Sequence, residues 1–475
     1  MKKSLKLFLF AVIGALSISA QAQVIDKEKV TQEMIVKPKF KQIIGYFTSW
    51  EWYKRAGLAQ PANFDFSKYT IINYSFFQTD KEGNLFGTDA WADSILLRGK
   101  YDYGNPVQPA YYPNTSMIDL AHVAGAKVIV SIGGWTLSET FPTVAADPAK
   151  RANFAHNCVL ALQRYGFDGI DIDWEYPCYP DHKGTPEDFK NYPLFMKAIR
   201  DSIDAYGEKI KYKFLLTAAY GAPASLNVSI DYEKLVPFMD YFNMMTYDFN
   251  GTWSEDANHN SPLYAPAKGD TNAMSNLLYR LKNTYHVPVE KINMGVPFYG
   301  RSLLGKPGVK LDLHGKVHAG ASDTITFVPD LGGTLYYNIM KYKDKFEEKW
   351  DEKSQVPYLV GKELNTFVSY DDPKSIKLKA DFVRKNDLAG VIIWEISGDL
   401  IEKGEGSGVV ASTPLIDALN ESMLTARKKP IPKRWREPVT KPVREKGWRK
   451  NVIKQNFKNI YKPTKKAATP SPASN

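Results

Sequence analysis

Cysteine is almost missing, with 2 in 475 residues. That excludes a disulfide-stapled scaffold and a four-cysteine zinc site. Long apolar runs are missing once the N-terminus is passed, so no later stretch reaches the roughly 20 residues of a membrane span. The chain shows no internal repeat. Hydrophobic residues make up 44% and charged residues 24%, close to the globular norm, which excludes global disorder and collagen-like repeats. At about 150 residues per domain the length suggests three units, although β/α barrels often exceed that prior as one. Acidic residues are the minority charge, 52 against 62 basic, for a net of +10. A basic excess points to nucleic acid or an anionic surface.

That excess is confined to the ends. Residues 427–475 hold 16 Lys/Arg against 2 Asp/Glu, a net of +14, and residues 1–22 add +3 through Lys2, Lys3 and Lys6. Removing both from the total of +10 leaves −7 over residues 23–426. The body is mildly acidic, and no nucleic-acid partner is expected.

The N-terminus reads as a secretory signal peptide: a lysine-bearing start, a mostly apolar stretch from Leu7 to Ile18, and Ala20-Gln21-Ala22 before the cleavage point. The expected location is secreted: extracellular, periplasmic or envelope-attached. Export makes a Cys158–Cys178 disulfide chemically allowed, with Cys158 in an expected helix and Cys178 just past a strand. Residues 23–40 form an N-terminal lead.

Eight short β-rich runs follow, at 42–48, 70–76, 127–132, 169–174, 213–219, 241–246, 291–297 and 389–395. Several are continuously apolar, as strands covered on both faces must be. Helical periodicity lies between them, as at 149–165, 189–206 and 272–284. Alternating β and α elements imply a parallel sheet, and eight strands imply a closed β/α (TIM) barrel with its chemistry at the C-terminal strand ends. The barrel is expected over 41–301 and 373–426. The gap before the eighth strand is too long for one helix. It holds a helical pattern at 336–341 and strand patterns at 356–360 and 366–370, so 302–372 reads as a small α+β insertion. After Thr425 come prolines among Lys and Arg, then a basic amphipathic stretch from Trp448 to Tyr461.

The densest chemistry is in residues 168–177, DGIDIDWEYP. Asp171, Asp173 and Glu175 alternate, so on a strand they face one side, about 7 Å apart. Carboxylates packed so closely must share protons or bind something. Two chemistries fit. Asp171-x-Asp173 can hold a hard cation. Alternatively, crowding raises the proton affinity of one member, and a protonated Glu175 at the strand end protonates a leaving oxygen. The aromatics nearby favour a sugar over a metal-bound phosphate.

That run, together with SIGGW at 131–135, resembles the family-eighteen glycoside hydrolases, the chitinases. The resemblance extends through Met245-Thr246-Tyr247-Asp248, Pro297-Phe298-Tyr299-Gly300-Arg301 and Trp394-Glu395, and covers about 41–424. It implies hydrolysis of chitin or N-acetylglucosamine oligosaccharides by a monomer, with no metal or organic cofactor. Glu175 is then the proton donor, and the substrate's own acetamido carbonyl is the nucleophile, which departs from the two-carboxylate scheme. Asp173 would stabilise the oxazolinium-like charge, Asp171 share a proton with Asp173, Tyr247 hold the acetyl group, and Asp248 contact the reacting sugar. Trp394 and Trp135 are expected as sugar platforms. Gly134 would allow close backbone approach, and Tyr176, Met245 and Arg301 match sugar-contact positions. Tyr46 is expected to brace the Asp row, while Trp50, Trp52, Trp91 and Trp253 are candidate cleft residues. Asp168 lies outside the row and is expected to order the turn into the strand. The alternatives are an endo-β-N-acetylglucosaminidase, a non-catalytic chitin-binding lectin, and a metal-dependent sugar transferase. The basic tail is expected to meet an anionic surface.

Overall fold

The computed structural model describes residues 40–99, 115–306, 311–316, 321–328, 333–423 and 430–431. The expected signal peptide, the lead up to residue 39 and the amphipathic stretch of the tail lie outside the described residues.

Eight parallel strands close on themselves: β1 (Gln42–Thr48), β2 (Ile71–Thr79), β3 (Lys127–Gly133), β4 (Gly169–Asp173), β5 (Leu215–Gly221), β6 (Tyr241–Met245), β7 (Ile292–Pro297) and β8 (Gly390–Trp394). Each pairs with its sequence neighbour, and β8 pairs with β1 to complete the barrel. The strand expected at 213–219 begins at Leu215, whose N–H reaches Asp168 O at 3.0 Å and locks the register against β4.

Alternation sorts side chains into two layers. Val128, Val130 and Ile132 of β3 and Ile170 and Ile172 of β4 join the large core under the helices. Their alternates point into the barrel, where Ile44, Tyr46, Ile71, Phe76, Ile129 and Ile392 form a smaller apolar cluster. The helices are bounded by local chemistry. Asp147 accepts from the N–H groups of Ala149 and Lys150 to start Pro148–Tyr165, and Gly166, in the left-handed region, ends it.

Between β7 and β8 lies the insertion. Its antiparallel sheet runs Gly333–Leu335, Tyr299–Leu304, Thr366–Ser369, Val356–Gly361, Phe346–Asp351, with the helix Tyr336–Tyr342 attached. The sheet begins at Tyr299, so residues 299–301, read from sequence as barrel, pair within it instead. The cause is local: only Phe298 separates Tyr299 from the end of β7, and Gly300 sits where a Cβ would meet Ser369 O at 2.6 Å. Cys158 and Cys178 are both free thiols, the first buried in the helix Pro148–Tyr165.

Candidate active site

The C-terminal strand ends open into a groove of about 1170 Å³ lined by Asp173 and Glu175, and Asp171, earlier on the same strand, is fully buried. Strand register puts Ser131 and Thr217 beside Asp171 on the adjacent strands. Ser131 Oγ donates to Asp171 Oδ2 at 2.8 Å and Tyr46 Oη to the same oxygen at 2.9 Å. Thr217 Oγ1 and, at 3.3 Å, Asn243 Nδ2 donate to Oδ1. Both oxygens of Asp171 are thus occupied by other donors, where a proton shared with Asp173 was expected. The two acids interact through charge. Burial pushes the pKa of Asp171 up, and these hydrogen bonds pull against it.

Asp173 is 3% exposed, and among the described residues its Oδ1 has no hydrogen-bond partner. Burial first, then the charges of Glu175 and Asp171, drive its proton affinity well above the carboxylate range. Glu175 stands two residues past the end of β4, where the groove reaches it. Burial, with the charge of Asp248, pushes its pKa up to about 7, against the hydrogen bond from Tyr176. The acid–base reading of the carboxylate row therefore has its electrostatic basis. Among the described residues, no group of three or more His, Cys, Asp or Glu is arranged to hold a metal ion.

Tyr247 and Asp248 follow β6 into the groove wall. Burial, then the charge of Asp173, holds the Tyr247 phenol well above its usual pKa, so it remains a donor. Asp248 has φ +58°, a conformation that Asp tolerates better than most residues. Its N–H donates to Asn260 Oδ1 at 2.8 Å. Its Oδ1 accepts from Tyr299 Oη at 2.6 Å and from Arg301 Nε and Nη2 at 2.8 and 2.6 Å. Both partners come from the first long strand of the insertion, so the insertion supplies part of the wall.

The aromatics divide as follows. Trp394 ends β8 half-buried, with Phe76 stacked 5.7 Å away and Tyr46 tilted at 5.5 Å. Trp50, Trp135, Tyr176, Met245 and Trp253 also line the groove. Trp135 is 51% exposed, an open face at the end of β3. Three expected residues are placed elsewhere. Trp91 is on the first turn of the helix Ala90–Arg98, which Asp89 caps, and it is exposed outside the groove lining. Gly134 is not a lining residue either. It has φ +93°, and a Cβ there would meet the Phe76 ring at 2.7 Å, so the close approach it permits is to Phe76. Trp52 packs against the core instead. Asp168, as expected, orders the strand entry: its carboxylate accepts from Val128 N at 2.7 Å and Tyr212 Oη at 2.6 Å, and pairs with His122 at 2.7 Å.

Sequence reading missed Phe76, Tyr179, Thr217 and Asn243. Thr217 and Asn243 are polar residues at inward positions of apolar strands, a signal that needs strand register to be read. Phe76 lies near the C-terminal end of β2, where barrel chemistry gathers.

The family model for Glycosyl hydrolases family 18 matches residues 42–399. Chitinase A1 of Niallia circulans is 32% identical over 405 residues, taking in 75% of this chain and 56% of that protein. This chain thus spans little more than half the length of that relative. Endochitinase 1 of Metarhizium robertsii is 34% identical over 370 residues, 74% of this chain and 80% of that one. Among solved structures, chitinase ChiA74 from Bacillus thuringiensis superposes with a TM-score of 0.69 at 28% identity, covering 85% of this chain and 71% of that one. A closed β/α barrel, a raised acid at the end of its fourth strand and a family match over most of the chain agree, and the chain belongs to family 18 of the glycosyl hydrolases.

Proposed function

We propose that this chain is an exported chitinase that cleaves β-1,4-linked N-acetylglucosamine polymers with retention, using the substrate's acetamido group as nucleophile. One observation carries the reading. Glu175, pushed up to about 7, is in a groove with Trp394, Trp135 and Trp50 on its walls, beside a buried Asp173 whose Oδ1 is unpartnered among the described residues.

Glu175 gives its proton to the glycosidic oxygen as the bond to the anomeric carbon breaks. The acetamido carbonyl oxygen attacks that carbon from the opposite face and closes an oxazolinium ring. Asp173 accepts from the acetamido N–H through its carbonyl oxygen, and the charge of Asp171 behind it offsets the ring's positive charge. Tyr247 donates to the acetyl group and holds it in line. Water then adds to the anomeric carbon and returns a proton to Glu175. The ring opens, and two inversions leave the β anomer. Asp171 keeps a negative charge behind Asp173. Asp248 reaches the reacting sugar from a position set by Arg301 and Tyr299, while Tyr176, Met245 and Arg301 contact neighbouring sugars.

Glu175→Gln keeps the shape and removes the proton. Turnover is expected to fall by about 10²–10⁴, or roughly 3–5 kcal/mol, with the fold and oligosaccharide binding intact. Anomer-resolved products from defined oligomers should show β first, and a cyclic thiazoline mimic should inhibit competitively. Early α product would exclude the mechanism. A wild-type protein that binds oligomers without turnover would instead be a lectin.

Export rests on the N-terminal pattern. No helix among the described residues is long and apolar enough to cross a membrane. We further propose that the basic tail attaches the enzyme to an anionic envelope or glycan surface.

A further inference from the structure

The main chain of Glu175 is held on both sides by side chains from outside its strand. Its N–H donates to Ser138 Oγ at 2.9 Å. Its carbonyl oxygen takes a hydrogen bond of 2.5 Å from His182 Nδ1. A carbonyl carries no proton, so Nδ1 must be the protonated nitrogen. Ser138 belongs to the turn Trp135–Thr140 and also donates to Gly134 O at 2.9 Å. His182 ends the short turn Pro180–His182, and its half-buried ring meets the Trp135 ring edge-on, centroids 4.4 Å apart at 66°. Tyr179 packs against both, at 5.9 Å from Trp135 and 5.6 Å from His182.

The loop that presents His182 is itself tightly held. Gly184 N donates to Tyr179 O at 2.8 Å, and a Cβ on Gly184 would meet Tyr179 N at 2.3 Å. Lys183, in the left-handed region, pairs with Glu139 Oε2 at 2.5 Å and ties the loop to the turn that carries Trp135. His182 is not among the groove-lining residues. It stands behind the site and touches two things that face it.

We propose that His182 is a positioning residue with two separable tasks. Its Nδ1–H sets the acid's main chain, and its ring braces the Trp135 platform, so that sugar bound on Trp135 and the proton on Glu175 are held in one register. The proposal rests on Glu175 as the acid and Trp135 as a sugar platform.

Two substitutions separate the tasks. His182→Phe keeps a ring against Trp135 and removes the donor. His182→Asn places an amide N–H near the Nδ1 position and removes the ring. With an N-acetylglucosamine hexamer, His182→Phe should lower kcat by up to about 10²-fold, with KM within about twofold of wild type. His182→Asn should keep kcat within about threefold, while KM rises about three- to tenfold as the aromatic brace is lost. That KM effect should vanish on an aryl N-acetylglucosaminide too short to reach Trp135. Equal effects of the two variants on kcat and KM, parallel loss of activity and melting temperature in both, or no change in either parameter would each overturn the proposal. Failure of the underlying reading is distinguishable, because it would leave Glu175→Gln as active as wild type.

Discussion

At the scale of single residues, the site stores proton affinity in carboxylates that the fold withdraws largely from water. Glu175 is raised to about 7 chiefly by burial, so the acid is protonated below neutrality and ionised above it. For the free enzyme, kcat/KM should hold on the acid side of pH 7 and fall tenfold per pH unit above it. Asp248→Asn removes a negative charge that raises Glu175, so that alkaline limb should move to lower pH. A pH–rate profile on a soluble oligomer checks both, and a limb unmoved by Asp248→Asn would remove Asp248 from the cause. The same shift bears on stability. Because the folded state holds the proton more tightly than the unfolded chain, this contribution is complete below the unfolded pKa of about 4.5 and lost as pH rises through about 7. Glu175→Gln should therefore be more stable than wild type at pH 8, by roughly 3 kcal/mol as an upper bound, and the two curves should converge near pH 4.

At the scale of elements, a buried cation fastens the insertion and the helix Pro373–Lys385 to the barrel. Lys379 Nζ meets Asp371 Oδ2 at 2.6 Å and Ser261 Oγ at 2.8 Å, with both charged side chains almost fully buried. Ser375 Oγ donates to Asp371 Oδ1 at 2.7 Å, and Ser261 Oγ to Thr246 O at 2.6 Å, one residue before Tyr247. Burial lowers the pKa of Lys379, and Asp371 opposes that. Lys379→Met strands a buried carboxylate and should cost about 3–5 kcal/mol in denaturant unfolding, while adding Asp371→Asn should recover much of it. Equal stability of the single and double variants would deny the pairing. Little of this lock is visible in sequence, because its partners are far apart along the chain. Elements were legible where one face repeats. The DGIDIDWE alternation marks β4, and the periodicity over 149–165 marks the helix Pro148–Tyr165. The strand Phe346–Asp351 was missed because it is the outer strand of the insertion sheet, with Glu347 and Glu348 in water, so no apolar alternation betrays it. The acid row was legible for the same reason as β4. The ring of donors around Asp171 was not, since only cross-strand register brings Ser131, Thr217 and Asn243 together. Trp91 misled because aromatic content does not say which rings face the groove.

At the scale of the whole molecule, charge and geometry are divided between two ends. The acidic body carries −7 over residues 23–426, and the tail from Arg427 carries +14. The described start of the tail lies at the closed end of the barrel: Ile431 N donates to His122 O at 2.9 Å. His122 pairs with Asp168, at the N-terminal end of β4 and opposite the groove. Chitin is uncharged, so a +14 segment gains nothing from such a polymer, and the tail is proposed to meet an anionic surface instead. The basic amphipathic pattern from Trp448 to Tyr461 suits an interfacial helix. Truncation after Thr425 should leave turnover of soluble oligomers within about twofold, because every proposed site residue precedes it, in the manner of an added surface-binding segment. Binding of the full chain to vesicles containing anionic lipid should exceed that of the truncated chain at low salt. It should then weaken steeply as the Debye length shrinks from about 10 Å at 0.1 M to about 3 Å at 1 M. Neutral vesicles separate charge from simple apolar adsorption, since binding to them should be weak at every salt concentration. If full-length and truncated chains bind anionic vesicles equally at low salt, the tail is not the attachment element.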